Sequence, residues 1–312
     1  MLLHFLQLRS ILHSAHNFFI FMKKIKVFVD SCNPTDTQDA IRLLGTIDGQ
    51  TTNPTLLTKN LEIQKFLATG KKLQLNELLK MYKEAIQEIE KYTSGAISVE
   101  VYADWETKAE NMLEQAEDMK TWGKNIYLKF PTIPEGLKAA RAFTLGGGRV
   151  NMTLVFDTYQ AAAVYSATRG TSGTAFVSPF VGRWDDRGFY GLGLIKQIRS
   201  LYDMFEIERN SKTCHVEILS ASLRNLDHIL GSIALGADIL TAPMTAYKAW
   251  AEAGKPMPET APEKPDALKD LPNPNIEYDA EFTEYKIDRS PEGLLNQGLT
   301  KFANDWNSVI EK

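Results

Sequence analysis

Hydrophobic and polar residues alternate at a period of two in several short runs, and longer runs of helical period separate them. In the clearest short run, Ile126, Leu128 and Phe130 fall on one face, and Tyr127 and Lys129 fall on the other. A helical pattern precedes this run, and prolines and a glycine follow it. It therefore predicts a parallel strand, which is normally buried on both faces. A lysine at the end of such a strand needs a partner or a chemical role.

The same reasoning predicts eight strands separated by helices. The predicted strands are residues 24–30, 48–53, 97–102, 125–130, 149–155, 174–180, 214–222 and 237–243. The predicted helices between them are residues 35–44, 74–92, 105–122, 134–144, 157–167, 192–205 and 225–235, with Thr35 or Asp36 capping the first and Asp157 the fifth. This alternation favours an α/β fold of the (β/α)8 TIM barrel type. An open doubly wound sheet is the alternative, but no Gly-x-Gly-x-x-Gly motif follows the first strand.

Composition changes at both ends of the predicted barrel domain, residues 23–245. Residues 1–22 are apolar, but the run is too short and too broken for a membrane span, and we interpret it as an N-terminal extension or a misassigned start rather than a targeting signal. Residues 246–290 hold six prolines and predict a surface segment. Residues 291–312 predict a helix that packs back onto the barrel, over its mouth, through Leu294, Leu295, Leu299, Phe302 and Trp306.

Charge and cysteine content exclude some functions. The chain has 312 residues and a net charge of −4, without long basic blocks, which argues against nucleic-acid binding but leaves room for small phosphorylated ligands. Two cysteines imply no disulfide framework, and a cytoplasmic location is expected. Cys32 lies near the predicted mouth and Cys214 at the opposite end, so the two should not pair, and of the two only Cys32 is a candidate for a reactive thiol. The oligomeric state is left open, a homo-oligomer included.

The strands carry a polar parity that predicts a site. In a barrel, alternate residues face the interior, and functional groups collect at the carboxyl ends of the strands. If the apolar residues of each strand face the helices, the polar residues face the interior. Two carboxylates, a lysine and several amide or hydroxyl groups then meet at one mouth of the barrel, and a core that served packing alone would not need them. These polar residues are Asp30, Asn53, Glu100, Lys129, Asn151, Thr153 and Ser178.

Purely structural interpretations remain open for the charged and amide residues. Lys129 is equally compatible with a buried ion pair to Glu100 or Asp30. Asp30 and Asn53 are also suited to capping the loops that follow them.

The hydroxyl and arginine residues have structural interpretations as well. Thr153 and Ser178 are suited to satisfying backbone groups. Arg183 and Arg224 follow strands six and seven, where loops of barrels often bind phosphate, although a single loop arginine is more often solvated.

The predicted cluster suits Schiff-base chemistry. Burial favours a neutral lysine amine, which attacks a ketone to form an iminium, and the iminium accepts the electron pair of a breaking C–C bond. A carboxylate must take the proton of the departing hydroxyl, and a positioned water must relay protons. Asp30 and Glu100 are the residues available for these two tasks.

An ordered set of segments between about residues 26 and 245 resembles the transaldolase family, class I Schiff-base enzymes on a TIM barrel. Each motif is weak alone, but their order is specific, and the tail Lys301-Phe302-Ala303-Asn304-Asp305 resembles the closing helix of the family. The segments are Phe28-Val29-Asp30, Thr51-Thr52-Asn53-Pro54-Thr55-Leu56, Ser98-Val99-Glu100-Val101, Asn125-Ile126-Tyr127-Leu128-Lys129, Asn151-Met152-Thr153-Leu154, Ser178-Pro179-Phe180-Val181-Gly182-Arg183 and Ala221-Ser222-Leu223-Arg224-Asn225.

The resemblance implies a role for each catalytic residue. Lys129 would form the Schiff base with a ketose phosphate, and Asp30 would be the acid/base at the cleaved hydroxyl. Glu100 and Thr153 would hold the catalytic water. No metal or organic cofactor is implied.

It also implies a substrate set. The family transfers a dihydroxyacetone unit from sedoheptulose 7-phosphate to glyceraldehyde 3-phosphate, in the non-oxidative pentose phosphate pathway. The residues that would bind the dihydroxyacetone unit are Asn53, Asn151 and Ser178, and those that would bind the phosphate are Arg183, Ser222 and Arg224.

Phe180 bears on the type of reaction. Related fructose 6-phosphate aldolases have tyrosine at this position, whose phenol helps to protonate the enamine and release dihydroxyacetone. Phenylalanine cannot do so, which favours transfer over cleavage. A fructose 6-phosphate aldolase and a non-catalytic sugar-phosphate-binding protein remain the alternatives. Residues 31–34 and 254–290 match nothing in the family pattern.

Overall fold

The structure is a computed structural model that describes residues 25–171, 173–209, 211 and 214–311. Within these residues, eight parallel strands pair in chain order and the last pairs with the first, so that they close into a barrel. The strands are β1 (Lys26–Asp30), β2 (Gly49–Thr51), β3 (Ala96–Glu100), β4 (Ile126–Pro131), β5 (Val150–Val155), β6 (Ala175–Pro179), β7 (Val216–Ser220) and β8 (Ile239–Ala242). The predicted barrel is confirmed, and the open sheet is excluded.

A layer of helices surrounds the strands. The α-helices of the described residues are α1 (Pro34–Leu44), α2 (Pro54–Thr58), α3 (Leu61–Leu67), α4 (Leu75–Glu90), α5 (Ala109–Met119), α6 (Pro134–Leu145), α7 (Thr158–Thr168), α8 (Val181–Asp185), α9 (Leu192–Glu208), α10 (Leu226–Ala234), α11 (Met244–Glu252) and α12 (Leu294–Val309), and a 3-10 turn spans Lys120–Trp122. The sequence pattern missed α2, α3, α8 and α11. The first three have at most seven residues, too few to show a clear helical period, and α11 has nine.

Local capping explains where two of the helices begin. Asn33 caps α1 by accepting a hydrogen bond from the Thr35 N–H at 3.3 Å, and Pro34 occupies the first helical position, where no N–H is needed. The predicted cap at Thr35 or Asp36 is therefore wrong by two or three residues. Asp157 caps α7 as predicted and accepts from the backbone N–H three residues later at 2.7 Å.

The predicted parity of β4 is confirmed. Ile126, Leu128 and Phe130 belong to the large core between the strands and the helices. Tyr127 points the other way and stacks on Phe176 inside the barrel, with ring centroids 4.2 Å apart. An apolar layer that includes these two rings fills the barrel interior, so the polar residues at the carboxyl ends of the strands lie above packed side chains.

Helix α12 packs against α2 and against the end of β5. Its predicted apolar face is buried: Leu294, Leu295, Leu299, Phe302 and Trp306 are each less than a tenth exposed. At Gly298, a Cβ atom would lie 2.8 Å from Leu154 Cδ2, so glycine allows the helix to approach the barrel closely. This contact determines where the residues that follow Gly298 stand relative to the mouth.

The chain between the barrel and α12 is irregular. Helix α11 occupies the beginning of the segment assigned to residues 246–290, and the chain from 253 to 293 then runs without helix or strand. It is attached to the barrel by buried Leu271, Ile276 and Tyr285, and Arg169 lies over the ring of Tyr278. Residues 1–22, interpreted as an extension, lie outside the described residues. None of the helices in the described part of the chain is long and apolar enough to cross a membrane.

Candidate active site

The carboxyl ends of the strands surround a cavity of about 180 Å³, room for about six water molecules. The predicted site residues that line it are Asp30, Asn53, Lys129, Thr153, Ser178, Phe180, Arg183 and Ser222. Glu100, Asn151 and Arg224 do not line the cavity. Glu100 and Asn151 instead contact residues that do line it, Lys129 and Ser178.

Lys129 forms a buried ion pair at the base of the cavity. Its Nζ lies 2.8 Å from Glu100 Oε2, and it donates a hydrogen bond to the Thr52 carbonyl oxygen at 2.9 Å. The two charged side chains are 5% and 4% exposed. Neighbouring register in β3 and β4 brings them together, because Glu100 and Lys129 are direct partners across the strands. Lys129 nonetheless lines the cavity, so a ligand there can contact it although it is paired with Glu100.

Two buried oxygen atoms of the site make no hydrogen bond to a described residue. They are Glu100 Oε2, whose approach to Lys129 is close but poorly aligned for a hydrogen bond, and Thr153 Oγ1. Burial raises the pKa of Glu100, and the positive charge of Lys129 partly opposes that shift. Thr153 does not satisfy a backbone group with its hydroxyl, which argues against the purely structural interpretation of this residue.

Asp30 lines the same cavity as Lys129, and the two interact electrostatically. Its Oδ1 accepts a hydrogen bond from Thr51 Oγ1 at 2.8 Å, and Thr51 Oγ1 lies 2.6 Å from Thr241 Oγ1. Burial raises the pKa of Asp30, against the charge of Lys129 and the Thr51 hydrogen bond. Asp30 does not cap α1, a role that Asn33 takes.

A chain of hydrogen bonds supports the β5–β6 side of the cavity. Ser178 Oγ donates to Asn151 Oδ1 at 2.6 Å, and Asn151 Nδ2 donates to Ser98 Oγ at 3.0 Å. Asn151 is fully buried behind Ser178 and positions it. Asn53 has both of its expected functions: its Oδ1 caps α2, while the residue also lines the cavity.

Backbone irregularities occur at two strand ends beside the cavity. The β5–β6 register shifts between Met152 and Val155, and Leu154 has φ 59°. Ser222 has φ 58°. A left-handed backbone is unfavourable for these residue types and tends to be retained at functional sites. Both irregularities change the direction of the backbone at residues that line the cavity or adjoin it.

The two arginines of the predicted phosphate site differ. Arg183 lines the cavity and makes no ion pair within 4.0 Å to a described residue. Arg224 instead holds Asp186 with both ends of its guanidinium, with Nη2 2.6 Å from Oδ2. This pair is exposed and lowers the pKa of Asp186.

Comparison with known proteins agrees with this geometry. A family model described as transaldolase/fructose-6-phosphate aldolase matches residues 27–312. The chain belongs to this family. It is 37% identical over 224 residues to a probable transaldolase of Thermoplasma volcanium, covering 72% of this chain and 86% of that protein. Probable transaldolases of Brucella ovis and Rhizorhabdus wittichii are 35% and 37% identical, each over 72% of this chain and 88% of theirs.

In this transaldolase-family chain, several residues line the cavity that sequence analysis had not assigned to the site. They are Thr51, Thr55, Leu56, Ala221, Thr241, Lys301 and Phe302. Extending the parity argument to the ends of β2 and β8 would have found Thr51 and Thr241. Lys301 and Phe302 reach the cavity from α12; the sequence predicted that this helix packs over the mouth, but not which of its residues line the cavity.

The expectation for Cys32 is wrong. Its side chain is 1% exposed, and burial raises the pKa of the thiol to about 12, so little thiolate exists near neutral pH. Cys32 and Cys214 are both free, as expected. Among the described residues of this family member, no group of three or more His, Cys, Asp or Glu side chains is arranged to hold a metal ion.

Proposed function

We propose that this protein is a transaldolase that transfers a dihydroxyacetone unit between sugar phosphates through a Schiff base on Lys129. The observation that carries the proposal is the 2.8 Å contact between Lys129 Nζ and Glu100 Oε2, in a site that also holds Asp30. Family membership supports it, as do relatives that are named probable transaldolases.

The first step needs a neutral amine. Glu100 is the base in contact with Lys129, and the raised pKa of its carboxyl makes it a better proton acceptor than an exposed glutamate. The amine then attacks the ketone carbon of the donor, and the carbinolamine loses water to form an iminium. The water that carries protons in this step would be held by Glu100 and by the unpartnered Thr153 hydroxyl.

The second step breaks the C–C bond. Asp30 takes the proton from the hydroxyl at C4, the C3–C4 bond breaks, and its electron pair moves into the iminium to form an enamine while an aldehyde departs. The enamine carbon then attacks the carbonyl carbon of an acceptor aldehyde, and Asp30 returns the proton to the new hydroxyl. Hydrolysis of the iminium releases the ketose product and restores Lys129.

The proposed donor is sedoheptulose 7-phosphate or fructose 6-phosphate, and the acceptor is an aldose phosphate, as in the non-oxidative pentose phosphate pathway. Asn53, Asn151 and Ser178 would hold the dihydroxyacetone unit, Asn151 through Ser178. Arg183, with Ser222, would meet the phosphate from the open side of the cavity.

Reduction with borohydride in the presence of fructose 6-phosphate tests the proposal. The expected result is one covalent adduct on the peptide that contains Lys129, found by mass spectrometry of a digest. Lys129→Ala should give no adduct, whereas the exposed-surface control Lys138→Ala should label like the wild type. An adduct on another lysine, or none in the wild type, would refute the mechanism.

Two further measurements separate the alternatives. A fructose 6-phosphate aldolase would accumulate free dihydroxyacetone when no acceptor aldehyde is present, whereas a transaldolase should not. A sugar-phosphate-binding protein would show no transfer in a coupled assay, and Lys129→Ala would then change nothing in that assay.

A further inference from the structure

Helix α12 brings to the cavity a cation that the sequence motifs did not assign. Lys301 lines the same cavity as Lys129 and Arg183, although it is more than 100 residues from either along the chain. Its side chain is 45% exposed, so it stands at the rim rather than at the base. The close contact at Gly298 and the buried Phe302 hold this part of the helix against the barrel.

Charge balance calls for such a cation. A phosphate monoester carries a charge of about −1.5 to −2 at neutral pH. Arg224 does not line the cavity, and Lys129 loses its charge in the proposed first step. Of the cations that line the cavity among the described residues, Arg183 and Lys301 then remain for the ligand.

Lys301 has a spare donor. Its Nζ lies 2.8 and 3.1 Å from the two oxygens of Asp305, one turn away on α12, and an ammonium group has three N–H donors. Asp305 also accepts a hydrogen bond from Thr55, another residue that lines the cavity. Asp305 is thus held in place, whereas the flexible lysine stem can turn towards a ligand at little cost, because an exposed ion pair contributes little.

We propose that Lys301 contacts the phosphate group of the substrate and determines the preference for phosphorylated over unphosphorylated aldehydes. This inference rests on the proposed transaldolase activity for its substrates. It adds a cation on α12 to the phosphate contacts that the sequence predicted.

Steady-state kinetics of Lys301→Gln test the proposal. The KM for glyceraldehyde 3-phosphate should rise about two- to fivefold, the range expected of one half-exposed charged contact, while kcat and the KM for unphosphorylated glyceraldehyde stay unchanged. Lys301→Arg should restore most of the affinity, since it keeps the charge. Asp305→Asn, which removes the competing carboxylate, should lower the KM for the phosphorylated acceptor.

Lys80→Gln is the matched control. Lys80 is also an exposed helical lysine with an acidic partner four residues away, Glu84, but it lies on α4 and does not line the cavity. It should leave every KM unchanged. An unchanged KM in Lys301→Gln, an equal rise for both aldehydes, or an equal effect of Lys80→Gln would each overturn the proposal.

A binding measurement separates this inference from the proposed function. Titration with inorganic phosphate, followed by phosphorus NMR, requires no turnover, and Lys301→Gln should weaken phosphate binding by a similar factor. If borohydride trapping fails but Lys301→Gln weakens phosphate binding as expected, only the Schiff-base mechanism is refuted. If trapping succeeds but Lys301→Gln binds phosphate as well as the wild type does, only the role of Lys301 is refuted.

Discussion

Replacing Thr153 by valine should stabilise the protein and impair its activity. Thr153 is fully buried, and its Oγ1 has no hydrogen-bond partner among the described residues. Valine has nearly the same shape and suits the strand, so the change removes a polar atom without opening a cavity. The hydroxyl would therefore be retained for the reaction rather than for the fold.

The magnitude follows from the desolvation of the hydroxyl. A buried polar group without a partner costs about 1–3 kcal/mol, and a water in the apo site recovers part of that cost. We expect Thr153→Val to raise the free energy of unfolding by about 1 kcal/mol. The loss of one contact to the proposed water should lower kcat by a factor of about 10 to 100.

Thr132 provides the matched control. It too is fully buried, at the end of the adjacent strand β4, but its Oγ1 donates to the Thr153 carbonyl oxygen at 2.9 Å. Thr132→Val should therefore destabilise the protein by about 1 kcal/mol and leave kcat unchanged.

Urea denaturation and the coupled transfer assay measure both variants. The free energy of unfolding should rise in Thr153→Val and fall in Thr132→Val, and only Thr153→Val should lose activity. If Thr153→Val is as destabilising as Thr132→Val, its hydroxyl serves the fold. If kcat is unchanged, Thr153 does not hold the catalytic water, and either outcome refutes the reasoning.

Three further predictions concern Asp157, Cys32 and Phe180. Burial raises the pKa of Asp157 to about 6, so the native state holds a proton that the unfolded chain releases, and stability should fall as the pH rises from about 4 to about 6. Asp157→Asn keeps the cap and should remove most of this dependence of stability on pH. The free energy of unfolding at pH 7 should rise by at most about 3 kcal/mol, because the carboxyl is partly exposed. Urea titrations at several pH values that show the same dependence in the variant would contradict this. Cys32 should react with a thiol reagent only after denaturation, and peptide mapping of the native protein that finds it modified would show that the site opens. Phe180→Tyr should release free dihydroxyacetone from fructose 6-phosphate without an acceptor, and no release would mean that a phenol at this position cannot reach the enamine.

The barrel and the centre of its site were predictable from local pattern. A period of two in β4 separates Lys129 from the apolar residues on either side of it, and the same parity in β3 selects Glu100. Adjacent parallel strands place their carboxyl ends at the same edge, so both residues were expected at one mouth, whereas the register that makes them direct partners is seen only in the structure.

Other features were not accessible to local pattern. Cys32 lies two residues beyond β1, yet it is buried, and the Asn60 side chain donates to its carbonyl oxygen at 2.8 Å. The engagement of Arg224 by Asp186 depends on how two loops approach each other. Neither contact leaves a periodic signal, because the partners come from separate segments whose distance is determined by packing.

By itself, the sequence determined which residues face the barrel interior, because side-chain alternation is a property of every extended strand. It also determined the order of the strands and hence the gathering of Asp30, Glu100 and Lys129 at one mouth. Only the tertiary structure decided which polar atoms found partners, how deeply Cys32 lies, and that Lys301 reaches the cavity. Those outcomes depend on closure of the barrel and on the docking of α12, which bring together residues far apart in the chain.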